Sequence, residues 1–448
     1  MDSILTKTQP KYFIETYGCQ MNKYDSELLA GIFRSEGYQP AEDPDQADVL
    51  VINTCSVRDH AEQRALGRLS VLAGWKRDLP GRRIGVVGCM GQNRGRRLIQ
   101  EKPFVDFILG PDEYRKLPSI LRDPIPGGPV HTCLDGMENY AGMMPRRENG
   151  VTGWIAVMRG CDNFCSYCIV PLTRGRERSR PASEVLDELR KMLDEGFRDI
   201  TLLGQNVNSY NDGRAGFPDL LREAARIPSP FRLRFMTSHP KDLSDSLLDV
   251  MASEPKICPH LHLPAQSGSD RILGLMNRSY TSGDYRRLVD KARRMIPGLA
   301  LSTDVMTGFP SETEADFQDT CSLMKEIRFD DAYLYHFSAR EGTPAAQMPD
   351  QVPEAERLSR LERLIRIQRA ISIEAKKGWI GRQVEVIPEG ASKKSPDEWM
   401  GKTPGNEVVV FPKDGTRLGE TVRVRITGCR GSTLRGLAQP AGGPAFTD

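Results

Sequence analysis

The sequence predicts an α/β chain in three parts. These are an amino-terminal parallel-sheet α/β domain over residues 10–125, a central partial (βα)6 barrel over 147–378 and a small OB-like β-barrel over 379–442. Three observations predict it: residues 11–120 repeat one strand-then-helix pattern, a longer strand–helix series follows residue 150, and short alternating strands take over after residue 379.

In the first part, YFIETYGC, DVLVINTC and RRIGVVGC each read as a β-rich run ending on a cysteine, and each is followed by a stretch of helical periodicity. Alternating strands and helices imply a parallel sheet with right-handed crossovers. Residues just past the carboxyl ends of such strands line one crevice, so Cys19, Cys55 and Cys89 are expected to converge at one edge. Residues 123–150 hold four prolines and five glycines without periodicity and read as a linker.

Beyond the linker, candidate strands are WIAVMRG, DITLLGQN, LRFMTSH, CPHLHLPA, LSTDVMTG and AYLYHFS. Six strands fall short of the eight of a full (βα)8 barrel, so an open barrel is expected, with its functional loops at the strand carboxyl ends. The charged helix PEAERLSRLERLIRIQRAISIEAKKG closes this part. VEVI, EVVVF and VRVRI, separated by turns such as PKDG, suggest the small barrel. The stretch LAQPAGGPAFTD reads as a frayed tail.

With 39% hydrophobic residues over 448 positions the chain can build cores, which excludes wholesale disorder. No apolar run is long enough to span a membrane, and the start lacks the pattern of an export signal. A monomeric cytoplasmic protein with no membrane contact is the expectation. Lys and Arg total 62 against 60 Asp and Glu, so nucleic acid would be bound by local patches rather than bulk charge. Gly-x4-Gly-Lys-Ser/Thr does not occur, which excludes a P-loop ATPase.

Ten cysteines in such a chain are expected to stay reduced, leaving metal binding or catalysis for those that cluster. Cys161, Cys165 and Cys168 do so, spaced Cys-x3-Cys-x2-Cys at the end of the first barrel strand. Thiolates suit iron–sulfur clusters, and three of them leave the fourth iron open. A zinc site with three cysteines and a histidine, or three unrelated buried thiols, are the alternatives. No histidine lies between His131 and His239. Cys19, Cys55 and Cys89 are too widely spaced for a zinc finger, and buried cysteine is common as a small hydrophobe. Cys133, Cys258, Cys321 and Cys429 have no partner at ligand spacing.

The spacing of Cys161, Cys165 and Cys168 at the first strand of a partial barrel resembles the radical S-adenosylmethionine (SAM) superfamily. The resemblance implies that the open iron chelates SAM, and that reduction cleaves SAM to a hydrogen-abstracting 5′-deoxyadenosyl radical. Tyr167 matches the aromatic placed near the adenine. Gly204-Gln205 stands where the superfamily usually has the segment holding the SAM amino group. LPAQSGSD and DVMTGFPSET, with Gln266, Ser267, Asp304 and Gly308, end later strands and suit ribose and carboxylate contacts, Gly308 by letting backbone approach closely. Ordinary strand-end turns with helix caps are the alternative for these segments.

Together with ETYGCQMNKYDSE, NTCSVR and VVGCMG, these features closely resemble the methylthiotransferase family over nearly the whole chain. That resemblance implies a second [4Fe-4S] cluster on Cys19, Cys55 and Cys89, and a carboxyl-terminal TRAM domain that binds RNA. Cys19-Gln20-Met21-Asn22 and ASKKSPDEWMGKTPGNEVVVF resemble the branch that methylthiolates C2 of N6-isopentenyladenosine at position 37 of tRNA. In the family scheme one SAM donates the methyl group and another supplies the radical. No general base is required, and the histidines are assigned no catalytic role. The implied partners are tRNA, a flavodoxin- or ferredoxin-type reductant, and a sulfur donor or cluster-assembly carrier. Threonylcarbamoyl-adenosine in tRNA and a ribosomal-protein aspartate are the alternative acceptors. A metal-stabilised RNA-binding protein without SAM chemistry is the alternative of another class.

RNA recognition calls for exposed cations and aromatics. TRGRERSR places Arg174, Arg176, Arg178 and Arg180 at alternate positions, suited to phosphate or to a solvated face. Residues 379–437 carry ten Lys or Arg against seven Asp or Glu. Lys393, Lys394, Trp399 and Lys402 are the candidate contacts there, with Trp399 alternatively filling the small barrel's core.

Overall fold

The computed structural model describes residues 9–439 apart from 57–58, 80, 124–127 and 149. The chain divides into two compact units. One holds residues 1–148, 158–164 and 168–184; the other holds 149–157, 165–167 and 185–448.

In the first unit the repeats form β1 (Lys11–Tyr17), α1 (Gln20–Ser35), β2 (Gln39–Pro40), β3 (Val49–Thr54), α2 (Asp59–Asp78), β4 (Arg83–Gly88), α3 (Cys89–Glu101), β5 (Phe107–Leu109), α4 (Leu117–Arg122) and β6 (Val130–His131). The six strands make one parallel sheet in the order β2-β1-β3-β4-β5-β6. Parallel strands are covered on both faces and read as near-continuous apolar runs, and every residue of β3 is buried. Leu50 and Ile52, Ile84 and Val86, and Ile108 pack with Ala65, Leu69, Leu72 and Leu98 of the two following helices. The stretches β2, β5 and β6 extend the sheet beyond the strands predicted.

The second unit begins with β7 (Thr152–Ala156), whereas β8 (Met158–Arg159), α5 (Val170–Arg174) and β9 (Arg178–Ser179) belong to the first. It continues with α6 (Ala182–Asp194), β10 (Asp199–Leu203), α7 (Phe217–Ala225), β11 (Arg232–Met236), α8 (Asp245–Ser253), β12 (His260–His262), α9 (Asp270–Leu275), α10 (Ser282–Met295), β13 (Ala300–Thr307), α11 (Glu314–Ile327), β14 (Asp331–His336) and α12 (Glu354–Lys377). Two parallel ladders, β7-β10-β11 and β12-β13-β14, supply the six barrel strands, bridged at Leu233 and Ile257. Among the described residues no ladder joins β14 to β7, so the barrel is open, as expected. Helix α12 packs on β14 and α11 and buries Leu364 and Ile371.

Residues 383–438 close a barrel of five strands in the order β15 (Gln383–Ser392), β16 (Ser395–Lys402), β17 (Val408–Pro412), β19 (Thr433–Ala438), β18 (Val422–Arg430). Val386, Val409, Phe411, Val424, Ile426 and Leu434 fill it. Strands β16 and β19 were not predicted, and Leu437 and Ala438, read as tail, are paired in β19. The rest of that predicted tail, beyond residue 439, lies outside the described residues. Gly401 sits where the strands crowd: a Cβ there would lie 2.2 Å from the Ile387 carbonyl oxygen.

Candidate functional site

Register places the first three thiols. Tyr17 pairs with Thr54, and Thr54 pairs with Gly88. Three strands therefore stop level, and Cys19, Cys55 and Cys89 follow within two residues of those ends. The turn out of β1 is tight: a Cβ on Gly18 would lie 2.9 Å from the Cys55 Cβ and 2.4 Å from Asn22 Oδ1. Cys19 caps α1, its backbone N–H and its thiol both donating to Asn22 Oδ1, at 3.4 and 3.3 Å. Buried Asn22 is fixed in turn by Asn53, which accepts from its Nδ2 at 3.1 Å and donates to its carbonyl at 2.8 Å. Two buried amides thus tie the first strand end to the second.

The electrostatics of this edge are set by Arg174, which is 3% exposed. Its Nε donates to Cys89 Sγ at 3.3 Å and its Nη2 to Asp25 Oδ2 at 2.6 Å. Asp25 also accepts from the Tyr140 and Tyr114 hydroxyls, at 3.0 and 3.4 Å. A hydrogen bond with Cys55, opposed by burial and aided by the Arg174 charge, pulls the Cys19 thiol down to about 6. Burial pushes the Cys89 thiol up, against the pull of Arg174. Among the described residues no three His, Cys, Asp or Glu side chains are already set around a single metal ion. A cubane spreads its ligands over separate corners, and an all-thiol edge with one thiol readily ionised fits soft iron.

Cys161 and Cys165 are fastened separately. In the first unit the Cys161 N–H donates to the Gly175 carbonyl at 3.2 Å, and Asn163 Nδ2 donates to Cys161 Sγ at 3.4 Å. In the second, buried Cys165 Sγ accepts from Arg278 Nη1 at 3.4 Å. The neighbouring Ser166 is anchored to the end of α9, its N–H donating to the Met276 carbonyl and its hydroxyl to that of Leu275. Tyr167 packs against Ile272, Met276, Phe309 and Phe337. Cys168 is half-buried. Arg278 was not anticipated; no periodicity marks it, and only its place after the turn ending α9 would have drawn notice.

At the carboxyl ends of β10 and β11, buried polar atoms stand without partners: Gln205 Oε1, Asn206 Oδ1, both amide atoms of Asn208, and Ser238 Oγ. Burying polar atoms unpaired is costly, so their concentration here fits a polar ligand such as SAM. Asn208 and Ser238 were missed by the sequence reading, although the repeated Asn after DITLLGQ was the available signal. The Gly204 N–H is taken by the Met236 carbonyl at 2.9 Å. Gln266, at φ 63°, links to β13 through the Asp304 carbonyl and the Met306 N–H. Asp304 lies 3.5 Å from His262 Nε2.

Two expected ligand contacts are corrected. Ser267 is 1% exposed and its hydroxyl is engaged with Thr320 Oγ1 and the Ser269 N–H, so it braces the turn into α9. The space that a Cβ on Gly308 would take holds the Arg357 side chain, at 2.2 Å, so packing against Arg357 already calls for glycine there. Burial pushes His239 and His260 down, to about 2 and about 3, leaving both neutral.

The arginine run is also corrected. Arg174 is buried on Asp25 and Cys89, Arg178 meets Asp112 at 2.7 Å, and Arg180 donates to the Tyr24 hydroxyl at 2.9 Å. These side chains face acids and rings inside the first unit and are closed to phosphate. Arg176 alone of the four is exposed, paired with Asp162 and set over the Phe164 ring. In the small barrel Trp399 is half-buried, packs on the core and donates Nε1–H to the Thr416 carbonyl at 3.2 Å, which accords with the core-filling alternative. Lys393 and Lys394 are exposed at the β15–β16 turn. Lys402 is half-buried, 3.7 Å from Glu389.

Residues 11–110 match the uncharacterized protein family UPF0004, residues 155–324 the radical SAM superfamily, and residues 369–438 the TRAM domain. The tRNA-2-methylthio-N(6)-dimethylallyladenosine synthase of Chloroherpeton thalassium is 46% identical over 433 residues, 96% of each chain. That of Chlorobium limicola is 45% identical over 437 residues, 97% of this chain and 99% of the relative. Among solved structures, the radical SAM methyltransferase TsrM from Kitasatospora setae, with cobalamin and a [4Fe-4S] cluster bound, aligns with a TM-score of 0.57. It is 16% identical over 76% of this chain and 74% of its own, a likeness of fold. Strand-end thiols, an open six-stranded barrel, a closed five-stranded one and near-full-length identity agree: this chain belongs to the tRNA-2-methylthio-N6-dimethylallyladenosine synthase family of radical SAM enzymes.

Proposed function

We propose that the chain adds a methylthio group to C2 of N6-isopentenyladenosine at position 37 of tRNA. In this reading Cys161, Cys165 and Cys168 hold the SAM-binding cluster, and Cys19, Cys55 and Cys89 hold the auxiliary cluster. SAM and [4Fe-4S] clusters are the cofactors; bound, they supply the electron, methyl group, sulfur and radical chemistry that an inert aromatic carbon–hydrogen bond requires. The observation that carries the division of labour is the level ending of β1, β3 and β4, which brings three thiols from distant sequence to one edge. The protein's own part is to hold thiols at fixed corners, to offer unpaired polar atoms at the ends of β10 and β11, and to grip RNA.

Residues 10–125 serve the auxiliary cluster, 147–378 the SAM core and 379–442 the RNA. Lys393, Lys394 and Arg176 are the contacts that exposure supports. A flavodoxin- or ferredoxin-type protein delivers electrons, and a sulfur donor or cluster-assembly carrier restocks sulfur. We place the chain in the cytoplasm as a monomer, where thiols stay reduced; no helix among the described residues is long and apolar enough to cross a membrane.

Anaerobic incubation with SAM and a reductant, offering isopentenyl-adenosine tRNA, threonylcarbamoyl-adenosine tRNA and a ribosomal-protein peptide in parallel, tests the reading. Mass spectrometry should find the methylthio group on the first alone. Gain on either other acceptor overturns the branch. In the same preparation Cys19→Ala should lose about half the iron while SAM cleavage persists, as two clusters with separate ligands require; loss of all cleavage contradicts the division.

A further inference from the structure

In each of the two thiol sets a buried arginine donates to a sulfur, and the two arginines differ in their compensation. Arg174 donates to Cys89 Sγ and is neutralised by Asp25, 2.6 Å away and fully buried. Arg278, 8% exposed, donates to Cys165 Sγ at 3.4 Å, to the Pro264 carbonyl at 3.1 Å and to the Tyr280 hydroxyl at 2.9 Å. Its partners are a thiol, a carbonyl and a phenol, with no carboxylate among them. The Tyr280 hydroxyl is itself turned to the Pro264 and Ala265 carbonyls, at 3.2 and 3.0 Å, so it accepts from Arg278 as a neutral group.

A buried charge left uncompensated is expensive. Arg174 has its counter-ion within the protein; among the described residues no carboxylate pairs with Arg278, whose charge stands beside the Cys165 sulfur. Groups that hydrogen-bond a metal ligand from outside tune the metal and fix the ligand. Resting on the cysteine assignment proposed above, we infer that Arg278 and the Arg174–Asp25 pair are positioning residues that set the two clusters to different electrostatic surroundings: a net cation beside the cluster on Cys161, Cys165 and Cys168, and a neutral pair beside the cluster on Cys19, Cys55 and Cys89. A net positive neighbour stabilises the more negative, reduced state of a cluster. A neutral pair leaves that state unassisted and spares the auxiliary cluster reduction meant for the other.

The test uses the full chain in two reconstituted parents, each with one cysteine set changed to alanine so that one cluster remains. Midpoints are read by electron paramagnetic resonance during a redox titration, and iron loss is read by a chelator. In the parent keeping Cys161, Cys165 and Cys168, Arg278→Met should move the midpoint down and speed iron loss about 10–100-fold, the range typical for such outer partners. Arg278→Lys should restore most of the midpoint. In the parent keeping Cys19, Cys55 and Cys89, Asp25→Asn should move the midpoint up by freeing the arginine charge. Arg174→Met should move it down, and the double variant should return near the parent value. A merely structural role would loosen iron in every variant without this opposition of sign. Midpoints unmoved while iron stays bound overturn the inference alone. Parents that fail to hold one cluster each overturn the cysteine assignment and the inference with it.

Discussion

The Arg234 guanidinium grips the Asp199 carboxylate with Nε, 2.9 Å from Oδ1 and 3.1 Å from Oδ2, while its terminal nitrogens reach the carbonyls of Pro404 and Thr403 at 2.8 Å each. Arg232 adds bonds to the carbonyls of Lys402 and Glu385. Both arginines lie in β11, and Asp199 opens β10, so the small barrel is seated at the amino-terminal ends of the large barrel's strands.

Removing Arg234 leaves Asp199 buried without its ion, since the two side chains are only 6% and 2% exposed. Arg234→Leu should cost about 3–5 kcal/mol in chemical unfolding. It should also release residues 379–439 to limited proteolysis before the rest of the chain. A loss under about 1 kcal/mol would show that the Arg232 bonds to the Lys402 and Glu385 carbonyls hold the small barrel without Arg234.

Gln205 and Ser267 separate a ligand contact from a structural one. The Gln205 Oε1 is buried without a partner, whereas the Ser267 hydroxyl is engaged within the turn. Gln205→Leu should weaken SAM binding about tenfold by calorimetry while leaving the melting temperature unchanged or higher. Ser267→Ala should lower stability by about 1 kcal/mol and leave SAM affinity alone. The reverse pattern would exchange their roles.

Asp316 predicts an acid limit. Burial alone would push its carboxyl up, but hydrogen bonds from Arg271, Ser269 and Thr313 outweigh this and hold it well below the usual carboxylate range. A carboxyl depressed in the folded state contributes stability that is fully present above its unfolded value near pH 4 and is lost as acid approaches its folded value. Asp316→Asn should therefore destabilise the protein by about 1–3 kcal/mol at pH 7, a gap that narrows below pH 4. An equal gap at pH 7 and pH 3 would assign the loss to packing.

Lys393 and Lys394 should carry RNA affinity. The double alanine variant should weaken tRNA binding and flatten the dependence of log affinity on log salt by about 1.4–1.8, the share of two phosphate contacts. Arg176→Ala should act in the same direction. An unchanged slope in the double variant would remove the β15–β16 turn from the interface.

The fold was largely legible because its strongest pattern, apolar strand runs ending on cysteines, follows from a parallel sheet buried on both faces. The strands missed lack that pattern. SPDEWMGK carries Pro, Asp, Glu and Gly, which disfavour β structure on local grounds, and becomes β16 only because β15 and β17 pair with it. The arginine run misled for a related reason. Alternation at residues 174, 176 and 178 looks like a solvated face, and the acids that bury two of them, Asp25 and Asp112, lie 149 and 66 residues away in sequence. Propensity reads neighbours along the chain, while burial of charge is decided across it.

The seat of the small barrel also bears on the length of the substrate proposed above. Its anchors meet the strands where they begin, and the unpaired polar atoms gather where β10 and β11 end. Each of those strands has five residues, a span of roughly 17 Å at ~3.3 Å per residue. A free nucleoside is too short to touch both ends. In the reading proposed above, an RNA held by the small barrel at one end and modified at the other has to span that length.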